Sequence, residues 1–317
     1  MKIAILDDYQ NCALNYGEWD EIVRASEVTT FSEPFKDADD IVAKLQDFEV
    51  LCLMRERTAL PRSTLERLPN LKHVVLTGRR STTLDMDCLK ERGISLSTTD
   101  IGPAVHATPE LAIALMFALS RNVAAGDALV KRGGWLAGAP LGFVLNGKVL
   151  GIIGLGRVGT RVAEIARAVG LDVVAWSPNL TAERAAAAGV RFCASKRELL
   201  AQADIVSMHL VLGPTTANTI GAPELAQMKP GAVLINCARG PLVNEAALVG
   251  ALKAGTLAGA GLDVYDVEPL PADHPLRSCP NCILLPHFGY VTREIYEVFY
   301  RDTAAAVRKI LGLSSTN

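Results

Sequence analysis

The sequence has 317 residues, of which 50% are hydrophobic and 21% are charged, and its formal net charge is −2. This length suggests two domains, and the near-neutral charge gives no reason to expect nucleic acid or an acidic membrane surface as a partner. No apolar run reaches the about 18 residues that a membrane-spanning helix requires. The N-terminal stretch MKIAILDD turns acidic after four apolar residues, so we interpret it as a first strand and not as a signal peptide.

The first hundred residues alternate short apolar runs with helical stretches. The runs KIAIL, FEVLCLM, LKHVVLT and ISLST predict strands, and DADDIVAKLQ, PRSTLERL and LDMDCLKER predict helices between them. This alternation is typical of a parallel sheet that is covered on both faces. The stretch TPELAIALMFALSRNVAAGDALVKRG then predicts one long helix, with Pro109 and Glu110 in its first turn and Gly133-Gly134 at its end.

A second alternating block follows, and it predicts another doubly wound α/β unit over residues 99–287. Its strands are KVLGIIG, LDVVAW, VRF, ADIVSMHL, AVLINCA, AGAGLDV and CILLP. The last helix, TREIYEVFYRDTAAAVRKIL, comes after this sheet is complete, and it packs most simply on the first block. We therefore expect an α/β protein with two parallel-sheet domains, residues 1–98 plus 288–317 and residues 99–287.

The seven cysteines suit a cytoplasmic protein, because their number is odd and they are scattered through apolar segments. Two of them form C-P-N-C, residues 279–282. Zinc sites usually need two further ligands at short spacing, and redox CxxC motifs open a helix. This motif instead lies in a loop before a strand, so we expect neither a metal site nor redox chemistry.

A glycine-rich turn joins the strand KVLGII to the next helix. Gly154, Gly156 and Gly159 form G-x-G-x-x-G, and this strand–turn–helix setting predicts a dinucleotide site with the pyrophosphate at the helix N-terminus, near Arg157. Ser177 ends the following strand, where a carboxylate usually binds the adenosine ribose and repels the 2′-phosphate of NADP. We therefore expect NAD(P) as the cofactor, with a modest preference for NADP.

Two polar residues near Ser177 are candidate ligands of the adenosine end of the cofactor. The Asn179 side chain is suited to hydrogen bonding with either ribose form. Arg184 lies further along, either within reach of a phosphate or facing solvent on its helix.

Three ionisable residues follow successive predicted strands. Arg239 follows AVLI, Glu268 follows AGAGLDV and His287 follows CILL. Ligands of doubly wound sheets lie beyond the carboxyl ends of the strands, so all three are expected at the dinucleotide crevice. An arginine grips a carboxylate, a histidine exchanges a proton near neutral pH, and a glutamate beside it fixes its tautomer. Hydride transfer to a 2-oxo acid needs these three parts.

The ordered motifs KVLGIIGLGRVG, ADIVSMHL, GAVLINCARGPLVNEAAL, GLDVYDVEPL and LPHFGY resemble those of the D-isomer-specific 2-hydroxyacid dehydrogenases over nearly the whole chain. The resemblance implies that Arg239 binds the substrate carboxylate and carbonyl, that His287 is the acid/base and that Glu268 is its partner. It places Asp263 near the nicotinamide amide. It also implies a nucleotide-binding Rossmann domain inserted into a flavodoxin-like substrate domain, and a homodimer formed through residues 108–135.

The resemblance further implies a set of cofactor-binding residues. With the turn residues Gly154, Gly156, Arg157 and Gly159, and with Ser177 and Asn179, they are Thr108, Val158, Leu210, Val211, Thr216, Cys237, Ala238, Asp263, His287 and Gly289.

The sequence departs from the family pattern in two loops. The family's glycine-rich G-x-G-x-D-N-x-D loop is here GRRSTTLD, residues 78–85, which puts the shape of the substrate pocket in doubt. Arg55, Arg57, Arg79 and Arg80 favour an anionic substrate if they face it, and are otherwise solvated. The family's H-x-P motif is here His209-Leu210-Val211, so the cofactor loop is expected to differ.

We therefore expect an NAD(P)-dependent reductase of small 2-oxo acids, with glyoxylate and hydroxypyruvate as the simplest candidates. A cofactor-sensing binding protein of the corepressor type on the same fold is the alternative. Formate dehydrogenase is disfavoured because that branch has an amide at the position of Glu268. An L-lactate-type enzyme is disfavoured because its glycine turn lies near the N-terminus. One helix follows His287, so we expect no C-terminal regulatory domain. The substrate, the physiological direction and a firm cofactor preference do not follow from the sequence.

Overall fold

The computed structural model describes residues 1–279 and 281–313. The chain packs into two compact units, a first unit of Met1–Ala104 with Val291–Asn317 and a second unit of Val105–Tyr290. Residues 314–317 of the expected substrate domain, and Pro280 of the C-P-N-C motif, lie outside the described residues. The assignment of the units to substrate and cofactor stays a prediction.

The first unit contains a five-stranded parallel sheet in the order β2-β1-β3-β4-β5. Its strands are β1 Lys2–Ile5, β2 Glu27–Thr30, β3 Val50–Leu53, β4 His73–Leu76 and β5 Ser95–Thr98. Its helices are α1 Asp20–Ala25, α2 Ala38–Leu45, α3 Arg62–Leu65, α4 Met86–Glu91 and, after the second unit, α12 Arg293–Ile310. α12 packs against β4, and its buried residues include Phe299 and Tyr300.

The second unit contains a seven-stranded parallel sheet in the order β12-β11-β10-β9-β6-β7-β8. Its strands are β6 Val149–Ile153, β7 Asp172–Trp176, β8 Arg191–Phe192, β9 Ile205–Met208, β10 Val233–Asn236, β11 Gly259–Leu262 and β12 Cys282–Leu284. Its helices after β6 are α7 Arg157–Ala168, α8 Ala182–Ala187, α9 Lys196–Gln202, α10 Ala222–Leu225 and α11 Glu245–Lys253. The prediction of two parallel-sheet α/β domains is confirmed.

Strand order determines which loops of each unit lie together. In the first sheet the order reverses between β1 and β3, and in the second it reverses between β6 and β9. Ligands of doubly wound sheets bind beyond the carboxyl ends of the strands at such a reversal. In the second unit the glycine-rich turn leaves β6, and in the first unit the loops after β1 and β3 are neighbours.

The expected single helix after residue 108 is wrong. The structure has α5 Ala104–Ser120 and α6 Val123–Lys131, which are bent by 61° at the break between them. Asn122 at the break has φ +51° and ψ +39°, and its Nδ2 donates to the Pro140 carbonyl at 3.2 Å. Asparagine tolerates this left-handed conformation better than most residues, so it ends the first helix where no glycine or proline marks the end.

The start of this helix also differs from the prediction. α5 begins before Thr108, and Pro109 lies buried inside it and not in its first turn. Within the described residues, no single helix has the length and apolar composition of a membrane span. The bent pair α5 and α6 meets that criterion only when both helices are counted together.

Candidate active site

The glycine-rich turn between β6 and α7 is shaped by close backbone approach. Gly154 has φ +107°, and a Cβ there would lie 2.6 Å from the carbonyl carbon of His209. A Cβ on Gly159 would overlap the Gly154 carbonyl oxygen, whereas a Cβ on Gly156 would meet no atom within 4 Å. The turn is therefore packed closely at its first and third glycines and open at its second, as a bound pyrophosphate requires.

The N-terminus of α7 faces this open position. Gly156 is the N-cap and provides no side-chain acceptor, so the first-turn N–H groups, those of Arg157 and Val158 among them, have no side-chain cap. Such N–H groups, with the positive end of the helix dipole, bind phosphate. These residues fit the pyrophosphate of a nicotinamide dinucleotide.

The loop after β7 is linked to the glycine-rich turn by Ser177. Its Oγ accepts a hydrogen bond from the Leu155 backbone N–H at 3.1 Å, which leaves the hydroxyl proton available for a ligand. The Arg184 guanidinium donates to the Asn179 carbonyl at 3.2 Å. Arg184 therefore lies against the loop that would receive the adenosine ribose, and a serine replaces the usual carboxylate there.

The loop after β9 is held by hydrogen bonds of Thr216. Thr216 Oγ1 accepts from the Gly213 backbone N–H at 2.8 Å and donates to the Val211 carbonyl at 2.7 Å. At the start of the loop, His209 Nε2 lies 2.9 Å from Ser207 Oγ. Burial of the imidazole lowers the pKa of His209 to about 4, so this histidine is neutral at pH 7. The Leu210 backbone nitrogen lies against Gly154, beside the glycine-rich turn.

The segment after β10 folds around the buried side chain of Asn236. Its Oδ1 accepts from the Ala238 backbone N–H at 3.0 Å, and its Nδ2 donates to the Arg239 carbonyl at 2.9 Å. Arg239 Nη1 donates to the Ala238 carbonyl at 2.7 Å. Cys237 is buried, and burial raises the pKa of its thiol, which therefore stays protonated. Asn236 fixes the turn that presents Arg239, a role that we did not infer from the sequence.

Glu268 and His287 form a direct pair. Glu268 Oε2 lies 2.5 Å from His287 Nδ1, and Glu268 Oε1 accepts from the Tyr265 backbone N–H at 3.0 Å. The two side chains are 28% and 22% exposed, so they are only partly screened by water. A carboxylate at Nδ1 orients the imidazole ring and leaves Nε2 as the nitrogen that can exchange a proton with a ligand.

The backbone of His287 has a positive φ of +54°, which is uncommon for a residue other than glycine. Asp263, 1% exposed, accepts from the next two backbone N–H groups, those of Phe288 and Gly289, each at 2.9 Å. Thr108 Oγ1 donates to the Gly289 carbonyl at 3.2 Å. The carboxylate of Asp263 thus holds the turn that carries His287, a contact that the sequence did not indicate.

Tyr265 joins the loop of Glu268 to the strand end before His287. Its hydroxyl donates to the Leu285 carbonyl at 2.8 Å, while its backbone N–H is bound to Glu268. A Cβ on Gly240 would overlap the peptide group that follows Tyr265, so only glycine allows the segment after Arg239 to pack there. Tyr265 and Gly240 are further residues of the site that the sequence interpretation missed.

In the first unit, Arg55 lies on the loop after β3, with φ +54°. Its backbone N–H donates to Thr77 Oγ1 at 2.8 Å, and its guanidinium covers Gly78, where a Cβ would overlap it. The Arg57 guanidinium lies 5.8 Å from the centre of the Tyr9 ring. These two candidate arginines are both placed by contacts with neighbouring loops.

The other two candidate arginines, Arg79 and Arg80, are exposed. Arg79 forms an ion pair of 3.3 Å with Asp100, and both partners are largely solvated. Surface pairs of this kind contribute about 0 to 1 kcal/mol. The structure therefore gives Arg55 and Arg57 a defined environment that it does not give Arg79 and Arg80.

Asp7 is a buried acid in the first unit that connects the loops after β1 and β3. Its carboxylate, 1% exposed, accepts from Thr58 Oγ1 at 2.9 Å and from the Tyr9 hydroxyl at 3.0 Å. Burial raises the pKa of Asp7, while hydrogen bonds from Thr58 and Tyr9 and the charge of Arg57 act in the opposite direction. Asp7 could not be identified from the sequence, because its partner Thr58 lies on a loop far along the chain.

Residues 1–279 and 281–313 hold no group of three or more histidine, cysteine or acidic side chains that is arranged to bind a metal ion. In the C-P-N-C motif, Cys279 is buried and burial raises the pKa of Cys282 to about 12. The Cys282 thiol is therefore protonated at neutral pH, which disfavours metal binding and thiolate chemistry.

The sequence of residues 113–289 matches the family described as D-isomer specific 2-hydroxyacid dehydrogenase, NAD binding domain. The chain is 32% identical over 308 residues to the hydroxypyruvate reductase of Blautia hydrogenotrophica, covering 93% of this chain and 92% of that protein. It is 35% identical over 273 residues to the D-3-phosphoglycerate dehydrogenase of Methanocaldococcus jannaschii, covering 86% of this chain and 52% of that protein. The chain thus spans about half the length of the phosphoglycerate dehydrogenases that it matches.

The fold is also shared with solved structures. The crystal structure of the phosphoglycerate oxidoreductase from Vibrio cholerae O395 superposes with a TM-score of 0.91 and 34% identity, covering 98% of this chain and 99% of that one. Together with the family match over residues 113–289, this similarity confirms the expected family. The chain belongs to the D-isomer specific 2-hydroxyacid dehydrogenase family.

Proposed function

We propose that the protein is an NAD(P)-dependent oxidoreductase that interconverts small 2-oxo acids and D-2-hydroxy acids, with glyoxylate and hydroxypyruvate as the first substrates to test. One observation carries the proposal. The pair of Glu268 and His287 lies beyond β11 and β12, and Arg239 follows β10, the next strand of the same sheet. A carboxylate-binding arginine and an oriented acid/base therefore follow three adjacent strands.

A nicotinamide dinucleotide held at the glycine-rich turn would supply the hydride that reduces the C2 carbon of the 2-oxo acid. Arg239 binds the substrate carboxylate through its guanidinium and polarises the carbonyl oxygen. His287 Nε2 donates its proton to that oxygen, and the product is the 2-hydroxy acid. Glu268 orients the imidazole through Nδ1 and offsets the positive charge that the ring carries before it gives up the proton.

Steady-state kinetics with a panel of 2-oxo acids, using NADH and NADPH, test this proposal. His287→Ala is expected to lower kcat by about 100-fold or more, and Arg239→Ala to raise KM for the acid and lower kcat. Full activity of the His287→Ala protein would refute the role of this residue. No turnover with any acid, combined with cofactor-dependent assembly in light scattering, would instead favour a cofactor-sensing protein.

We further propose that NADP is accepted with a modest preference over NAD. Ser177 lacks the negative charge that repels a 2′-phosphate, and Arg184 lies against the same loop through Asn179. Ser177→Asp is expected to lower kcat/KM for NADPH relative to NADH by about tenfold. Arg184→Ala should raise KM for NADPH with little change for NADH. An unchanged ratio in both variants would contradict the proposal.

We also propose a homodimer formed through residues 108–135. This segment contains α6, which buries none of its residues, and it exposes Phe117, Val123, Val130 and Trp135 by 41%, 56%, 54% and 77%. An apolar surface of this kind is typical of an interface between protein chains. The cytoplasm is the proposed location, because all seven cysteines are free thiols.

A further inference from the structure

A second acid–imidazole pair lies behind the loop that carries Glu268. Glu245 is the first residue of α11, directly after the N-cap Asn244. Its Oε2 lies 3.1 Å from His274 Nε2, and its Oε1 accepts from the Asp266 backbone N–H at 3.1 Å. The side chains of Glu245 and His274 are only 16% and 19% exposed. One carboxylate therefore connects α11, the Asp266 backbone and His274.

The hydrogen bonds of His274 define its tautomer. Its Nδ1 accepts from the Leu276 backbone N–H at 3.3 Å and caps the short helix Pro275–Ser278. A nitrogen that accepts a hydrogen bond carries no proton, so in the neutral ring Nε2 bears the proton and donates it to Glu245. The link between His274 and Glu245 therefore does not require a charged imidazole.

The carboxylate of Glu245 acts on the backbone next to Glu268. Asp266 lies between Tyr265, whose N–H binds Glu268, and Glu268 itself. The same stretch packs on Gly240, where a Cβ would overlap it. Partial burial and the charge of Glu245 both raise the pKa of Asp266, while His274 lowers it. The loop 265–268 is thus held close to the Glu245 carboxylate despite the repulsion between Glu245 and Asp266.

We propose that Glu245 and His274 are positioning residues of the reaction. They hold the loop 265–268 so that Glu268 meets His287 Nδ1, and His274 holds Glu245 in place. This inference rests on the proposed function, since it concerns the acid/base pair of the same site. Glu245 and His274 act through Glu268, so their contribution to the rate depends on Glu268 being present.

A double-mutant cycle tests this dependence. We expect Glu245→Ala to lower kcat by about 10- to 100-fold, with KM for the nicotinamide cofactor changed by less than about twofold. In a Glu268→Gln background, Glu245→Ala should change kcat by less than about twofold, because the Glu268 carboxylate through which Glu245 acts is already absent. An equal loss of kcat in both backgrounds, or no loss in either, would overturn the proposal.

Two milder variants keep the test valid if the alanine variant folds poorly. His274→Asn retains an acceptor for the Leu276 N–H and removes only the bond to Glu245, so we expect a smaller loss of kcat, about three- to tenfold. Glu245→Gln retains an acceptor for the Asp266 N–H, and it should lose less activity than Glu245→Ala. Equal losses for Glu245→Gln and Glu245→Ala would contradict a role through the loop backbone.

A measurement without turnover separates this proposal from the proposed function. In protein labelled with ¹⁵N-histidine, Glu245→Ala should move the ring nitrogen signals of His287 in the same direction as Glu268→Gln does. The signals of His73, in the first unit, are the internal control. If the wild-type protein reduces no 2-oxo acid but the His287 signals move, the proposed function fails and the positioning role stands. Unmoved His287 signals would refute the positioning role.

Discussion

At the scale of single residues, His287, the proposed acid/base, is held in an unfavourable backbone conformation. Its φ is +54°, and a non-glycine residue there costs about 1 to 3 kcal/mol. The Asp263 carboxylate offsets this cost by accepting two backbone N–H groups directly after His287. The position of the imidazole therefore depends on a buried carboxylate as well as on its partner Glu268.

This dependence predicts the effect of changing Asp263 to asparagine. The amide NH2 of Asp263→Asn would face one of the two backbone N–H groups and leave it without an acceptor, so we expect the free energy of unfolding to fall by about 1 to 3 kcal/mol. Urea denaturation measures the change. Asp273→Asn, at an exposed position in the same unit, is the control and should shift stability by less than about 0.5 kcal/mol. Equal effects of the two variants would contradict this role of Asp263.

His209 predicts a dependence of stability on pH. Its pKa is lowered by burial to about 4 in the folded state, against 6.5 for the model value, so the unfolded chain binds more protons between these values. Stability is therefore complete above about pH 6.5 and is lost as the pH falls toward 4, by about 2 kcal/mol at pH 5.

Urea unfolding of the wild type and of His209→Gln at pH 7 and pH 5 measures this effect. Other groups also titrate in this range, so the informative quantity is the difference between the two proteins. His209→Gln should lose less stability between the two pH values than the wild type. Identical losses in both proteins would show that His209 is not the group responsible.

At the scale of elements, strands and helices with a strong apolar pattern were predicted from the sequence. Elements with a weak apolar pattern were missed. β2, with the sequence EVTT, lies at the edge of its sheet and buries none of its residues fully, so no apolar run marks it. The break between α5 and α6 was missed because Asn122 adopts a left-handed conformation among good helix formers. Local propensity does not reveal a turn of this kind.

Substitutions at this break test its cause. Asn122→Ala should lower stability by about 1 to 2 kcal/mol more than Asn122→Gly, because both lose the amide contact and only alanine is strained at this φ. Ala128→Gly, in the interior of α6, is the matched control and should be destabilising by about 1 kcal/mol, so that alanine is the more stable residue there. Chemical denaturation gives these values. Equal stability of the alanine and glycine variants at 122 would refute the explanation.

The site itself was predictable only in part, for a physical reason. Arg239, Glu268 and His287 each follow a strand, and parallel strands end at one edge of a sheet. Their position at the same crevice could therefore be predicted from the sequence. Which strands are neighbours does not follow from periodicity. The contacts of Asp7 with Thr58, and of Glu245 with the Asp266 backbone, depend on that order and on loop shape. These contacts were therefore missed, while the expected roles of the three strand-end residues stay predictions.

At the scale of the molecule, each unit carries its own parallel sheet with one reversal of strand order. The two sheets bury separate apolar clusters, so each unit has a core of its own. In contrast, α6 in the second unit has no buried residue. A helix without a buried face gains little from its own unit, and its packing partner is expected to be another chain.

A charged residue on this face should therefore disrupt the proposed homodimer. We expect Val130→Asp to shift the protein from dimer to monomer in sedimentation velocity at micromolar concentration, because the aspartate would be buried without a partner. Val23→Asp, at an exposed position of 50% in the first unit, is the control and should leave the sedimentation coefficient unchanged. A wild-type protein that sediments as a monomer would contradict the proposed assembly.

The packing of Gly240 against the loop of Glu268 has a consequence for redesigning this enzyme. The segment 236–245 contains Arg239, and its Gly240 and Glu245 both contact the loop 263–268. The two segments are therefore expected to move together. A substitution that displaces Arg239 should therefore also displace the support of Glu268, so the two side chains cannot be repositioned independently.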